Sequence, residues 1–256
     1  MSDFIYHYIG GTVAGVTGTL VSQPFDTCKI HFQTKRKLNF NSRNLIQNIK
    51  FLYRGATPSF IGYGVEKSLV FGTYMTVCNT FNLDEYNYLH TFFAGLISGL
   101  TASLSITPAE QIKTDMQLKN KTQYNFKYLY KGLKYTSARE GIGFSIYFTV
   151  YNQLSKCYNK NEQDSFSYKL FKAGVIGGLS AFISWIPIYP IDVNKTLIQS
   201  GDGLNALKEE LKTKNVFGKI KQLYRGYSYG MMRAIPFHST CFVVFEIIKH
   251  KKYEKN

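Results

Sequence analysis

Acidic residues are scarce in this chain: 16 Asp and Glu stand against 31 Lys and Arg, for a net charge of +15 over 256 residues. Such an excess first suggests nucleic acid as a partner. The basic residues, however, gather in short stretches, Lys35-Arg36-Lys37, Lys119–Lys131 and Lys208–Lys221, beside long charge-free segments. That distribution suits an anionic lipid surface and argues against nucleic acid. Cysteine is also sparse. Cys28, Cys78, Cys157 and Cys241 lie far apart, and His7, His31, His90, His238 and His250 show no ligand spacing, so neither a metal nor a cofactor is expected. There is no nucleophile–base spacing and no phosphate-binding loop, which speaks against an enzyme. No long run is purely apolar, and the mean hydropathy is only -0.16. A soluble helical repeat protein would show the same low value. An Arg-rich leader is lacking too: the first charge-free run begins by Phe4, so no cleavable presequence is expected.

What is present is a pattern written three times. Pro24-Phe25-Asp26-Thr27-Cys28-Lys29 returns as Pro108-Ala109-Glu110-Gln111-Ile112-Lys113 and again as Pro190-Ile191-Asp192-Val193-Asn194-Lys195, at near-even spacing. Each copy reads Pro-x-acid-x-x-Lys, and a glutamine follows at the same offset: Gln33, Gln117 and Gln199. Each proline closes a charge-free stretch, Phe4–Phe25, Tyr86–Ala109 and Ala173–Ile191. At about 1.5 Å per residue each stretch can cross a hydrocarbon core of roughly 30 Å as a helix. Small residues keep the same register inside them: Gly11 and Gly15, Gly95 and Gly99, Gly177 and Ala181. Small-x-x-x-small strips one helix face of bulk, so a neighbour can approach backbone to backbone.

A polar, basic stretch follows each motif and ends in Tyr53-Arg54-Gly55, Tyr130-Lys131-Gly132 and Tyr224-Arg225-Gly226. Behind these come second apolar stretches, roughly Ser59–Phe81, Leu133–Leu154 and Ser228–Lys249. The unit is long helix, short surface helix, Tyr-basic-Gly turn, long helix. Three units, 4–84, 85–160 and 168–250, make one indivisible domain over 1–256 with six crossing helices and both termini on one side.

With its three Pro-x-acid-x-x-Lys copies, the chain resembles the mitochondrial carrier family from about Ile5 to His250. The resemblance implies an all-α membrane protein: a six-helix bundle with pseudo-threefold symmetry and three short matrix-side surface helices, active as a monomer. It implies the mitochondrial inner membrane, termini toward the intermembrane space, and cardiolipin near the Tyr-basic-Gly turns. Abundant Asn, Lys, Tyr and Ile point to an AT-rich genome; a viral or parasitic gene would place the protein in a host mitochondrion.

Pro24, Pro108 and Pro190 should kink their helices, since proline lacks a backbone donor. The resemblance implies that each acid, Asp26, Glu110 and Asp192, meets the lysine of the next repeat among Lys29, Lys113 and Lys195. That would form a cyclic matrix-side gate braced by Gln33, Gln117 and Gln199. Charges that pair and separate offer two states of similar energy, as alternating access requires. The opposite gate is poorer. Only Phe245-Glu246-Ile247-Ile248-Lys249 keeps the family's aromatic-acid-x-x-base pattern, while Tyr74 and Tyr151 stand in stretches that have lost both charges. Closure on the cytosolic side should therefore lean on tyrosines and packing.

Cargo choice should rest on charges in the even helices: Glu66 and Lys67, Arg139 and Glu140, and Arg233. Intramembrane ionisable groups are functional candidates because they are costly elsewhere. An arginine fork takes a carboxylate, and a glutamate takes an ammonium. The family's amino-acid carriers show an Arg-acid pair at the contact site of the fourth crossing helix, where Arg139-Glu140 stand here, so an amino acid is the expected cargo of an exchanger. A slip of register would instead put Gly141-Ile142 there, as in nucleotide carriers, with Lys67 and the two arginines on phosphates. An ion leak and a non-transporting adaptor are the remaining readings.

Overall fold

The computed structural model describes residues 2–35, 44–84, 86–118, 124–158, 166–201, 209 and 211–253, and among them the chain is all-helical. Six long helices carry the fold: α1 Ser2–Gln33, α3 Ala56–Thr80, α4 Tyr88–Leu118, α6 Leu133–Tyr158, α7 Phe166–Gln199 and α9 Tyr227–Tyr253. Three short ones, α2 Leu45–Leu52, α5 Phe126–Leu129 and α8 Val216–Leu223, pack on α1, α4 and α7. The long helices close into a ring in the order α1, α3, α4, α6, α7, α9 and back to α1, while α1, α4 and α7 also meet one another. That order repeats with every pair of long helices.

Pro24, Pro108 and Pro190 sit inside α1, α4 and α7, and each helix runs on past its proline through the acid, the lysine and the glutamine. The small residues allow the close approach. A Cβ on Gly15 would stand 2.3 Å from the carbonyl oxygen of Tyr63, and one on Gly99 equally 2.3 Å from that of Glu140. The two contacts seat α3 against α1 and α6 against α4. They also fix the height of the residues that face the centre. At the other small position a Cβ on Gly11 or Gly95 would stand 2.6 Å from the carbonyl oxygen of Lys67 or Phe144, whereas one on Gly177 would meet the Phe242 ring at 3.2 Å.

Each short helix begins with an asparagine cap: Asn44 accepts from Gln47 N at 3.1 Å, Asn125 from Tyr128 N at 2.8 Å and Asn215 from Gly218 N at 2.9 Å. The caps satisfy amides that would otherwise lack partners. The turns that follow end in Gly55, Gly132 and Gly226 at φ 76°, 84° and 76°, the left-handed region that favours glycine. Gly55 packs on Lys113 and Gln117, Gly132 on Gln199 and Ile198, and Gly226 on Gln33 and Phe32. Every turn thus leans on the motif helix of the next repeat.

The inside is polar and the outside apolar. Asp26, Glu110, Asp192, Arg139 and Arg233 are all buried, while Ile9, Leu20, Phe93, Leu104, Phe171 and Leu179 are exposed. Among the described residues two helices, Tyr88–Leu118 and Ser167–Gln199, are by themselves long and apolar enough to cross a membrane.

Candidate functional site

Where α1, α4 and α7 converge, three ion pairs link the repeats in a cycle. Lys113 pairs with Asp26, Lys195 with Glu110, and Lys29 with Asp192 at 2.6 Å. Acid and lysine are three residues apart on each helix, so they point in different directions and reach different neighbours. The glutamines differ from one another. Gln33 Nε2 donates to Asp192 at 3.0 Å and to Tyr189 Oη at 3.2 Å. Gln117 Nε2 donates to Thr27 Oγ1 at 3.0 Å, not to a ring carboxylate. Gln199 has a buried Nε2 without a partner, and its carbonyl accepts from Gln111 at 3.0 Å. The expected brace therefore touches one ion pair. The third repeat uses backbone where the first uses a side chain.

Above the ring lies a cavity with about 460 Å³ of atom-free space, open solvent at its mouth included, lined by residues of α3, α6, α7 and α9. All five expected cargo charges, Glu66, Lys67, Arg139, Glu140 and Arg233, stand on its wall. Lys67 Nζ is 2.7 Å from Glu66 and lies over the Phe144 ring at 4.3 Å. Arg139 pairs with Glu140 and also reaches down, to Glu110 at 3.0 Å and Asp192 at 3.2 Å. Arg233 lies over Trp185 at 5.0 Å, with Nε 3.5 Å from Asp26. The two arginines therefore belong to cavity and ring at once.

Gly141 and Ile142 do not face this space. A Cβ on Gly141 would meet Leu96 at 3.1 Å and Leu100 at 3.3 Å on α4, and Ile142 is exposed on the outside. The register that put Gly141-Ile142 at the contact site is corrected by that geometry: one turn of α6 shows Arg139, Glu140 and Gly143 to the cavity and Gly141 to a neighbouring helix.

Aromatic rings cover the end of the cavity away from the ion pairs. Tyr74 stacks on Phe148 at 4.0 Å, Phe71 meets Phe148 and Phe242, and Tyr151 packs on Phe242 at 4.1 Å. These contacts join α3, α6 and α9. Asn152 donates to Tyr74 Oη at 2.8 Å, so a neutral hydrogen bond links α6 to α3 at this end, where ion pairs link the helices of the ring. The side chains of Glu246 and Lys249 lie outside the described residues.

At the turns, Tyr53 Oη donates to Leu20 O at 3.1 Å and Tyr224 Oη to Ile186 O at 2.9 Å, while Tyr130 packs on Phe126 at 4.8 Å. Gln23 holds the carbonyl of Arg54 at 3.3 Å and Tyr189 that of Arg225 at 3.0 Å. Lys131 lies over Tyr128 at 5.8 Å. Sequence reasoning missed Tyr63, which donates to Glu110 at 3.4 Å and accepts from Lys113 at 3.3 Å. Its signal was its place one turn before Glu66 on the same helix face. Trp185, Tyr147 and His238 were missed as well, because an aromatic in an apolar helix looks the same whether it faces lipid or cavity.

Three stretches of the chain, residues 1–85, 84–162 and 166–256, each match the family described as mitochondrial carrier protein. The mitochondrial substrate carrier family protein S of Dictyostelium discoideum is 29% identical over 94% of this chain and 95% of its own length. A mitochondrial glycine transporter of Saccharomyces cerevisiae is 28% identical over 93% of this chain and 89% of its own. A mitochondrial arginine transporter of Arabidopsis thaliana is 27% identical over 95% of this chain and 92% of its own.

Proposed function

The chain belongs to the mitochondrial carrier family, and from that premise we propose that it is an alternating-access exchanger of the mitochondrial inner membrane whose cargo is an amino acid. The observation that carries this reading is the cycle of three inter-repeat ion pairs closing one end of a cavity lined by Arg139, Arg233, Glu66 and Glu140. In this reading all six long helices cross the membrane with pseudo-threefold symmetry, both termini face the intermembrane space, and the monomer is the working unit. An apolar outside around a charged inside supports it, since lipid would cover the one and water or cargo fill the other.

The ring is the matrix gate and the aromatic cover the cytosolic one. Cargo enters from the cytosolic side when the rings part, and a carboxylate on Arg139 or Arg233 competes there with Glu110, Asp192 and Asp26. Each carboxylate drawn from an arginine loosens the ring, which couples occupancy to opening. A carboxylate-ammonium cargo also suits Glu66 and Glu140, and relatives named as glycine and arginine transporters agree with that chemistry. The Tyr-basic-Gly turns, with Arg54, Lys131 and Arg225, together with short helices that expose Leu45, Ile46, Phe126, Val216 and Phe217, are the sites we assign to cardiolipin.

Proteoliposome exchange tests the reading. Uptake of a labelled amino acid is expected only when an amino acid is loaded inside. Current without exchange would indicate a leak pathway, and exchange of nucleotides alone would refute the cargo.

A further inference from the structure

Among the described residues, eight buried side-chain nitrogen or oxygen atoms lack a hydrogen-bond partner. Five belong to glutamine amides in and around the ring, and the other three are Glu66 Oε2, Arg233 Nε and Tyr147 Oη. All three of these residues line the one cavity. An unmade hydrogen bond on a buried polar atom is costly, and a native protein keeps one where something else completes it. Glu66 Oε2 wants a donor, and Arg233 Nε, 3.5 Å from Asp26 Oδ1 and without a hydrogen bond to it, has room for a closer acceptor; the two ends of an α-amino acid supply both. Tyr147 Oη is left over. An α-carboxylate and an α-ammonium account for the first two atoms; an acceptor on the cargo's side chain would account for the third.

Tyr147 is rigid and well placed for that task. It stands on α6 two turns beyond Arg139, only 2% exposed, with its ring against His238 at 4.8 Å and Phe242 at 5.6 Å. Charge narrows the choice. The cavity and the ring below it are lined by six cations (the three ring lysines, Lys67, Arg139 and Arg233) against five carboxylates (the three ring acids, Glu66 and Glu140). Among the described residues the other buried carboxylate, Asp115, lies apart from that lining, held by Tyr128 Oη at 3.0 Å and Gln111 at 3.3 Å. A cargo with one net negative charge balances the lined space, whereas a basic amino acid adds to the excess. Buried charge left uncompensated is unfavourable.

We infer that the preferred cargo is an acidic amino acid and that Tyr147 is the specificity residue whose hydroxyl donates to its side-chain carboxylate. The inference rests on the amino-acid reading above and goes beyond it. The test compares L-glutamate, L-aspartate, L-alanine and L-arginine as exchange substrates of the full chain in liposomes, for the natural protein and Tyr147→Phe. Titration of Trp185 fluorescence, the single tryptophan, gives binding independently of turnover. The expected result is that the natural protein prefers glutamate or aspartate, and that Tyr147→Phe lowers its kcat/KM for glutamate relative to alanine by about tenfold or more, mainly through KM, as for a lost hydrogen bond to a charged group. The phenyl ring keeps the packing, so an equal loss for every amino acid, or an unchanged ratio, would overturn the role given to Tyr147 and leave water as the partner of its hydroxyl. Preference for alanine or arginine would overturn the acidic cargo while the amino-acid carrier stands. Exchange of none of the four would remove both readings.

Discussion

Arg139 gives one guanidinium to three carboxylates, Glu140 on its own helix, Glu110 on α4 and Asp192 on α7. A lysine is a point charge without the planar fork and does not serve all three. Arg139→Ala is expected to abolish amino-acid exchange and to lower thermal stability in detergent, since Glu110 and Asp192 each lose a buried partner. Unchanged exchange by that variant would remove Arg139 from the mechanism. At the neighbouring pair, Asp192→Asn leaves Lys29 and one edge of Arg139 uncompensated, a loss of about 3–5 kcal/mol for a broken buried pair. The exchanged pair, Lys29→Asp with Asp192→Lys, should recover part of the activity that each single change removes, measured as uptake into loaded liposomes. No recovery would mean that the pair is held by its surroundings rather than by charge.

At the scale of the element, the small residues do more than join helices. Because the Gly99 Cα faces the carbonyl of Glu140, any side chain there lifts α6 and moves Arg139 and Glu140 with it. Gly99→Ala should therefore raise KM for the cargo even where the protein still folds, and a folded variant with an unaltered KM would contradict the link. The short helices show how far sequence reading reached. Their existence followed from the polar stretches before each Tyr-basic-Gly turn, and their left-handed glycines were named. The asparagine caps were not, because an asparagine in a polar stretch gives no sign of which amide it will meet. Asn215→Ala should cost about 1 kcal/mol at α8, read by local amide exchange. The three glutamines stand in one register along the chain, yet only Gln33 reaches a ring carboxylate. Their partners depend on what the next repeat offers, such as Tyr189 beside Gln33 and Thr27 beside Gln117.

Across the whole molecule the two ends are built from different materials. Three ion pairs and two arginines hold one end; ring stacking and the Asn152–Tyr74 hydrogen bond hold the other. Charges attract over distance and are satisfied only by partners, whereas rings part at the loss of packing alone. Phe148 touches Tyr74, Phe71 and Phe144 and is central to the cover. In a cysteine-free background carrying Ser184→Cys in the cavity wall, Phe148→Ala should speed labelling by an impermeant thiol reagent applied from the aromatic end without cargo. Labelling that stays slow would place the closure elsewhere.

Three copies of one motif, read along the chain, determined the family, the helical class, the order of the elements and which charges would stand at one end of the bundle. Those properties are local and repeated: a proline, an acid and a lysine at fixed spacing take the same positions on any helix. The tertiary structure alone decided which neighbour each side chain found. It turned Gly141 toward α4 and Ile142 outward, and it joined both arginines to the ring below the cavity. It also gathered three incomplete polar atoms from α3, α6 and α9 around a single space. Those outcomes depend on the close approach of helices that are distant in the chain, and no spacing within one helix encodes what lies across the gap.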